Sequence, residues 1–154
     1  MGSALENHQR RVPVPRRRLA RAADRALRAL GRVGGIVEIA VVDDAEIRRI
    51  NRAFRGVGQR TDVLAFPLEV AEAAGGLVGQ IVVSADTARR QARRLGVPLG
   101  LELCLIVTHG VLHLVGYDDR DPMEAELMHR REREILSTAR VNLPAKLWKG
   151  LLHD

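Results

Sequence analysis

Residues 99–115 constrain the fold most, because almost every side chain in this segment is apolar. A helix that is apolar on nearly all sides is stable only when it is buried. The segment is shorter than the ~20 apolar residues that a membrane span requires. We therefore expect it to be the buried central helix of a globular domain, ended by Gly116.

Two histidines lie on this predicted helix. His109 and His113 are four residues apart, so their side chains project from one face, one turn apart. Each buried imidazole needs a polar partner, and one divalent cation would satisfy both. Asp118 and Asp119 follow the helix within reach of the same point. Two imidazoles and one carboxylate leave a coordination position open for water, which is typical of catalytic sites.

The spacing of these residues is similar to that of the long zincin signature, in which a third ligand lies six residues after the second histidine. That position is Asp119 here. In zincin proteases the residue after the first histidine is the glutamate that acts as general base. Gly110 takes its place in this chain, which argues against proteolysis.

The remaining pattern predicts an α+β fold, a small mixed sheet covered by helices. Helices are expected at about 16–30, 43–54, 85–95, 99–115 and 122–139, and strands near Leu5 and at 36–42, 62–66 and 77–83. In the second helix, Ile47, Ile50 and Phe54 are expected to face inward. The length of 154 residues fits one domain, 1–154, in which the role of the tail 140–154 stays open.

The charge distribution points to a polyanionic partner. The net charge is +6, and residues 1–35 hold nine arginines against Glu6 and Asp24. A second cluster contains Arg89, Arg90, Arg93 and Arg94, in which like charges four apart destabilise their own helix. This arrangement favours RNA phosphates as the partner, although a solvated face balanced by nearby acids is an alternative. His129, beside two arginines, is expected to be solvated.

The composition excludes several kinds of site. The single cysteine, Cys104, excludes an internal disulfide and a thiolate-rich zinc site, and it fits a reducing cytoplasm. The glycines at 31–35 follow no strand, so no nucleotide-binding loop is expected. Aromatic residues make up only 3%, which argues against a base-stacking platform.

Two motifs together resemble one family. Residues 109–118 match the pattern His-Gly-x-Leu-His-Leu-x-Gly-Tyr-Asp of the bacterial YbeY endoribonucleases, and the stretches 50–56 and 61–67 match a second motif of the same family. The resemblance covers about residues 20–138. The chain departs from the family pattern at three positions: Asp119 replaces a histidine, Ala65 a serine and Gln80 an aspartate.

The resemblance implies a zincin-like fold and a metal-dependent, single-strand-specific endoribonuclease of 16S rRNA maturation and ribosome quality control. Its expected partners are rRNA and the ribosomal subunit in the cytoplasm, with no membrane and no nucleotide cofactor. One divalent ion, with zinc expected, would be held by His109, His113 and Asp119. Arg55 would stabilise the phosphate as the catalytic residue. Asp62 and Asp118 are expected to orient a water molecule or a histidine ligand without binding the metal themselves. The expected RNA-binding residues are Arg89, Arg90, Arg93 and Arg94.

Two alternatives to a nuclease stay open. Asp119 is a competent zinc ligand, but it makes the site anionic and less acidifying toward bound water. The chain could therefore be a catalytically weakened ribosome-assembly factor with a structural metal. A zincin-type metalloprotease is the other alternative, against which Gly110 counts.

Overall fold

The computed structural model describes residues 2–54, 62–68 and 76–138. Arg55 and the tail 140–154, both subjects of the sequence predictions, lie outside the described residues. The helices are α1 (Arg16–Ala29), α2 (Asp44–Phe54), α3 (Ala85–Leu95), α4 (Leu99–Leu114) and α5 (Pro122–Ser137). The strands are β1 (Ala4–Asn7), β2 (Ile36–Val42), β3 (Val63–Pro67) and β4 (Leu77–Ser84).

The four strands form one mixed sheet in the order β1-β2-β4-β3. β1, β2 and β4 are parallel, and β3 pairs antiparallel with β4. The predicted α+β class with a small mixed sheet is confirmed, and the strand expected near Leu5 is β1. A parallel neighbour needs a helical crossover, which α1 and α2 provide.

The main core lies between one face of the sheet and the helices α1 and α4. Alternate strand residues point to this side, as the two-residue period of a strand requires. These residues are Val37, Ile39, Val41, Val63, Ala65, Ile81 and Val83. α3 and α5 also pack against α4. α4 is therefore enclosed between the sheet and other helices, as its apolar sequence predicted.

The opposite face of the sheet carries a smaller cluster beneath α2, in which Ile47 packs with Leu64 and Val82. The prediction that Phe54 faces inward was wrong, because its side chain is 68% exposed. Ile47 is the one fully buried residue of α2 and Ile50 is partly buried. The last turn of the helix therefore extends past this small cluster, which leaves Phe54 in solvent.

Side-chain caps fix the starts of three helices. Asp43 accepts the backbone N–H of Glu46 at 2.9 Å at the start of α2, and Ser84 accepts that of Thr87 at 3.3 Å at the start of α3. Asp121 caps α5 in the same way through Glu124. Between α3 and α4, Gly96 has a φ of +67°. This left-handed residue ends α3 and lets α4 turn back across the sheet.

In the described part of the chain, no helix taken alone has both the length and the apolar character of a membrane span. α3 and α4 meet these criteria only as a pair, and the two helices are bent by 120° at the break between them.

Candidate metal centre

Gly110 sets how closely α4 approaches the sheet. A Cβ atom at this position would lie 2.9 Å from Cγ2 of Ile81 and 3.2 Å from Cγ2 of Val63. Only glycine therefore fits without displacement of the strands. In zincin proteases this position carries the general base, so the close packing explains physically why a glutamate has no room here.

The two histidines meet in the core, next to this contact. Their Nε2 atoms are 3.1 Å apart, and their ring planes meet at 80°. The side chains of His109 and His113 are 1% and 2% exposed. The four-residue spacing thus brings two imidazole nitrogens to one buried point.

The partners of the other ring nitrogens fix both tautomers. Nδ1 of His113 lies 3.0 Å from the carbonyl oxygen of Tyr117, which can only accept, so this nitrogen carries the proton. Nδ1 of His109 bonds to Oε1 of Glu132. Burial alone would raise the pKa of Glu132, but His109 and His129 beside it lower the pKa, so the carboxylate is ionised and accepts. When both rings are neutral, each Nε2 therefore presents a lone pair.

Asp119 completes this group. Its Oδ2 is 3.5 Å from Nε2 of His109 and 3.9 Å from Nε2 of His113, and the three ligand atoms all lie within 4.8 Å of one another. Three lone-pair donors that face one point repel each other unless a cation lies between them. Two imidazole nitrogens and a carboxylate oxygen are a donor set that zinc accepts. The residues present therefore fit a divalent metal ion.

Burial and the neighbouring His109 lower the pKa of His113, and Asp119 offsets only part of this effect. The neutral imidazole is the form that can bind a metal ion. The electrostatics of the core thus favour the metal-binding form of this histidine near neutral pH.

The turn after α4 presents Asp119 to the histidines. It begins at Gly116, whose φ is +105°. Asp118 then accepts the backbone N–H of Asp119 at 2.7 Å through Oδ1, while its Oδ2 forms an ion pair with Nε of Arg120 at 2.8 Å. These contacts make Asp118 a turn residue that positions its neighbour.

Asp62 is 1% exposed, just before β3. Its carbonyl accepts the backbone N–H of Ser84 at 2.9 Å, which joins the start of β3 to the end of β4. A supporting role behind the metal ligands stays a prediction for this residue.

Glu132 and His129 on α5 are the residues that the sequence analysis missed. Glu132 is fully buried, and Nδ1 of His129 lies 3.6 Å from its Oε2. The expectation that His129 is solvated was wrong, since its side chain is 12% exposed. One sequence signal was available: the buried positions of α5 are Met128, Glu132, Ile135 and Leu136, so Glu132 interrupts an apolar stripe of helical period.

The predicted RNA-binding arginines of α3 are in different environments. Arg90 donates to Oδ2 of Asp44 at 2.7 Å, whereas Arg93 and Arg94 are exposed and Arg89 is half-buried. Part of the charge of this cluster is thus neutralised within the protein. Their binding of RNA stays a prediction.

The two other departures from the family pattern lie on opposite faces of the sheet. Ala65 is buried in the core beneath α4. Gln80 is exposed on the other face, where its Nε2 donates to Oε2 of Glu38 at 2.8 Å. Of the three departures, only Asp119 contributes an atom to the metal centre.

Among the described residues, the centre is open to solvent at Asp119. Asp119 has a side chain 29% exposed, in contrast to the buried histidines. A ligand from solution therefore reaches the centre from the side of the turn that follows α4.

Residues 4–140 match the family model described as Endoribonuclease YbeY. A relative of that name from Anaeromyxobacter sp. is 44% identical over 119 residues, which are 77% of this chain. The match spans only 62% of that relative's length. A Geobacter metallireducens relative of the same name is 37% identical over 89% of this chain and 95% of its own length. The solution structure of a Thermotoga maritima protein shares the fold, with a TM-score of 0.56, 23% identity, and coverage of 95% of this chain and 89% of its own.

Proposed function

The chain belongs to the YbeY endoribonuclease family, and on that premise we propose that it is a metal-dependent endoribonuclease. Its proposed substrate is single-stranded RNA in 16S rRNA maturation and ribosome quality control. The relatives carry the name endoribonuclease, which supports the class of reaction. The proposed partners are rRNA and the ribosomal subunit, and the proposed compartment is the cytoplasm.

One observation carries the metal-dependent part of this proposal. The Nε2 atoms of His109 and His113 lie 3.1 Å apart while both Nδ1 atoms are bonded to acceptors. Where both imidazoles are neutral, these two Nε2 atoms are the nitrogens left to bind a metal ion. Oδ2 of Asp119 adds a third lone-pair donor to the same space. A divalent cation, proposed to be zinc, is the group that these three atoms would bind together.

Each residue has a distinct proposed role. When bound, a divalent ion supplies Lewis acidity that polarises a phosphoryl oxygen and acidifies a coordinated water. His109, His113 and Asp119 would hold it, and Glu132 keeps His109 in the correct tautomer. Arg55, proposed as the catalytic residue, would bind the phosphate and stabilise the charge that develops on its oxygens.

The carboxylate of Asp119 distinguishes this centre from a site of three histidines. It adds a negative charge, which attracts a cation more strongly but lowers the acidity of water bound to it. A harder oxygen ligand also shifts the preference of the site toward harder cations such as manganese. Both effects follow from the replacement of a histidine ligand by the carboxylate of Asp119.

The first experiment measures metal content by elemental analysis of the wild type and the Asp119→Ala variant. We expect about one equivalent of zinc in the wild type, as a single site requires, and a clear loss in the variant. Asp121→Ala is a suitable control, because Asp121 caps α5 and makes no contact with the histidines among the described residues. No bound metal in the wild type after zinc is supplied would refute the metal-dependent mechanism.

A cleavage assay then tests the reaction. We expect the wild type to cut unstructured RNA with zinc or manganese, to leave an RNA duplex intact and to lose activity with a chelator. Arg55→Lys keeps the charge but not the bidentate geometry, so it should lower kcat while metal content stays unchanged. A wild type that binds metal and RNA but never cleaves, and an Arg55 variant without effect, would favour the alternative of an assembly factor. Cleavage of a peptide substrate would favour a metalloprotease.

A further inference from the structure

The solvent face of α1 carries a row of arginines that the metal centre does not use. Arg17, Arg21, Arg25 and Arg28 follow each other at spacings of four, four and three, and we name them the α1 arginine stripe. The opposite face of the helix is buried in the core through Leu19, Ala22, Ala23, Ala26 and Leu27. Arg17, Arg21 and Arg28 are exposed and Arg25 is half-buried. From Arg17 to Arg28 the stripe extends about 16 Å along the helix.

The charge of the stripe is not neutralised within the described protein. None of its four guanidinium groups has a carboxylate within 4.0 Å among the described residues. Asp24, the single acid of α1, accepts the backbone N–H of Ser3 at 2.9 Å instead. Some arginines on other helices do have such partners, as in the pairs of Arg90 with Asp44 and Arg131 with Glu134.

This arrangement works against the stability of α1. Like charges four residues apart repel each other along the helix. The first turn contains three arginines and no acid, although the positive end of the helix dipole favours acids there. Pro15 at the start provides no side-chain cap. A surface of this kind is stabilised by a bound polyanion, which lowers its self-repulsion.

The chemistry of α1 favours a nucleic acid over a membrane. A helix that binds a membrane surface inserts an apolar face between the lipids. The apolar face of α1 is buried in the core, and the exposed large apolar residues of the described chain all lie outside α1. Guanidinium groups without an apolar anchor suit phosphates of a nucleic acid backbone.

The C-terminal end of α1 also contacts α5, the helix that carries Glu132. At the end of α1, the carbonyl of Ala29 accepts from Arg131 of α5 at 2.6 Å. The next residue of α5 is Glu132, which holds His109. A strand of RNA on the stripe is thus bound to a helix that contacts both helices of the centre, α4 and α5.

We propose that the α1 arginine stripe binds the phosphate backbone of single-stranded RNA outside the nucleotides that are cleaved. This inference rests on the proposed function, because the RNA held there is the substrate of the same metal centre. The stripe sets the affinity for long substrates and their dependence on salt. It takes no part in the chemical step.

The test compares two triple variants that remove the same charge. Arg17→Gln/Arg21→Gln/Arg28→Gln removes three charges of the stripe, and glutamine is a good helix former, so α1 is expected to stay folded. Arg48→Gln/Arg49→Gln/Arg52→Gln changes exposed arginines of α2, on the opposite face of the sheet. Binding of an unstructured labelled RNA to the metal-loaded proteins is followed by anisotropy over a range of salt. We expect the slope of log affinity against log salt to become shallower by about 2 in the stripe variant and to stay unchanged in the α2 variant.

Lysine at the same three stripe positions keeps the charge and should keep the wild-type slope, which separates a loss of contacts from a loss of folding. A stripe variant with the wild-type slope would overturn the inference, as would a change confined to an Arg89→Gln/Arg93→Gln/Arg94→Gln variant. Vesicles of phosphatidylserine that bind through the stripe, without any effect on RNA binding, would overturn it in favour of a membrane.

Cleavage distinguishes this inference from the proposed function. A dinucleotide has no nucleotides beyond the ones that are cleaved, so the stripe variant should cleave it as the wild type does. A long RNA should show a raised KM in the same variant. Equal KM values for long RNA would contradict the inference and leave the nuclease intact. A wild type that binds RNA through the stripe but cleaves neither substrate would refute only the proposed function.

Discussion

His109 of α4 and Glu132 of α5 form a fully buried hydrogen bond, in which the imidazole Nδ1 donates to the carboxylate. The bond joins two helices that are 23 residues apart in sequence at this point. It fixes the tautomer of His109 and directs Nε2 toward His113 and Asp119. The orientation of one candidate ligand therefore depends on the packing of the last described helix.

The first prediction concerns the charge of Glu132. Glu132→Gln keeps the size and an acceptor oxygen but removes the negative charge that increases the basicity of His109. We expect metal affinity to fall by about 10- to 100-fold, which competition with a chromogenic chelator measures. Glu134→Gln is the matched control on the exposed side of the same helix. Equal affinities in the two variants would show that Glu132 has no influence on the metal.

The second prediction concerns the identity of the third ligand. Asp119→His should keep one metal ion bound and should raise the preference for zinc over manganese, because imidazole is a softer ligand than carboxylate. Asp119→Ala should weaken the binding of both ions. Competitive titration of the two metals measures the ratio. If the ratio were the same in the wild type and the histidine variant, Asp119 would not be a ligand.

The third prediction compares two glycines of α4. Gly110→Ala would place a methyl group against Ile81, and we expect the free energy of unfolding to fall by about 1–3 kcal/mol. At Gly100 the nearest atom is the flexible end of Arg18, so Gly100→Ala should be neutral or should stabilise by up to ~1 kcal/mol. Urea unfolding of the metal-free proteins measures both. A Gly110 variant as stable as the wild type would contradict the close contact of helix and sheet.

The fourth prediction concerns pH. Burial alone would raise the pKa of Asp44, but hydrogen bonds from Arg90, Ser84 and Thr87 lower it to about 2 from 3.8. A lowered pKa means that the ionised group stabilises the fold above pH 3.8, and that this stabilisation is lost as the pH falls toward 2. Because the pair with Arg90 is partly exposed, we expect about 1 kcal/mol at neutral pH.

Asp44→Asn tests this prediction. The variant should be less stable than the wild type in urea at neutral pH, and the difference should shrink as the pH falls through the range between the two pKa values. Glu126→Gln, with an exposed side chain, should show no such trend. A difference that stays constant with pH would show that the charge of Asp44 does not contribute.

Local patterns were sufficient to predict the elements and the three candidate ligands. The helical spacing of His109 and His113 and the short distance in sequence to Asp119 leave little freedom for these groups to separate.

Predictions that depended on packing between distant elements failed or were not made. Glu132 resembles an ordinary charged residue of a charged helix until α5 is placed against α4. Phe54 continues the apolar period of α2, but this period does not indicate how far the small cluster of Ile47, Leu64 and Val82 extends beneath the helix. In each case the missing information is tertiary: which part of a helix face another element covers.

The position of α4 after the last described strand has a consequence for synthesis. All three candidate ligands and their support, Glu132, follow β4 in the chain, so a growing polypeptide exposes β1 to β4 before the first of these histidines leaves the ribosome. Domains generally fold as units. The candidate centre can therefore form only after these strands have emerged, and we expect metal capture to be a late event of biogenesis rather than its nucleus.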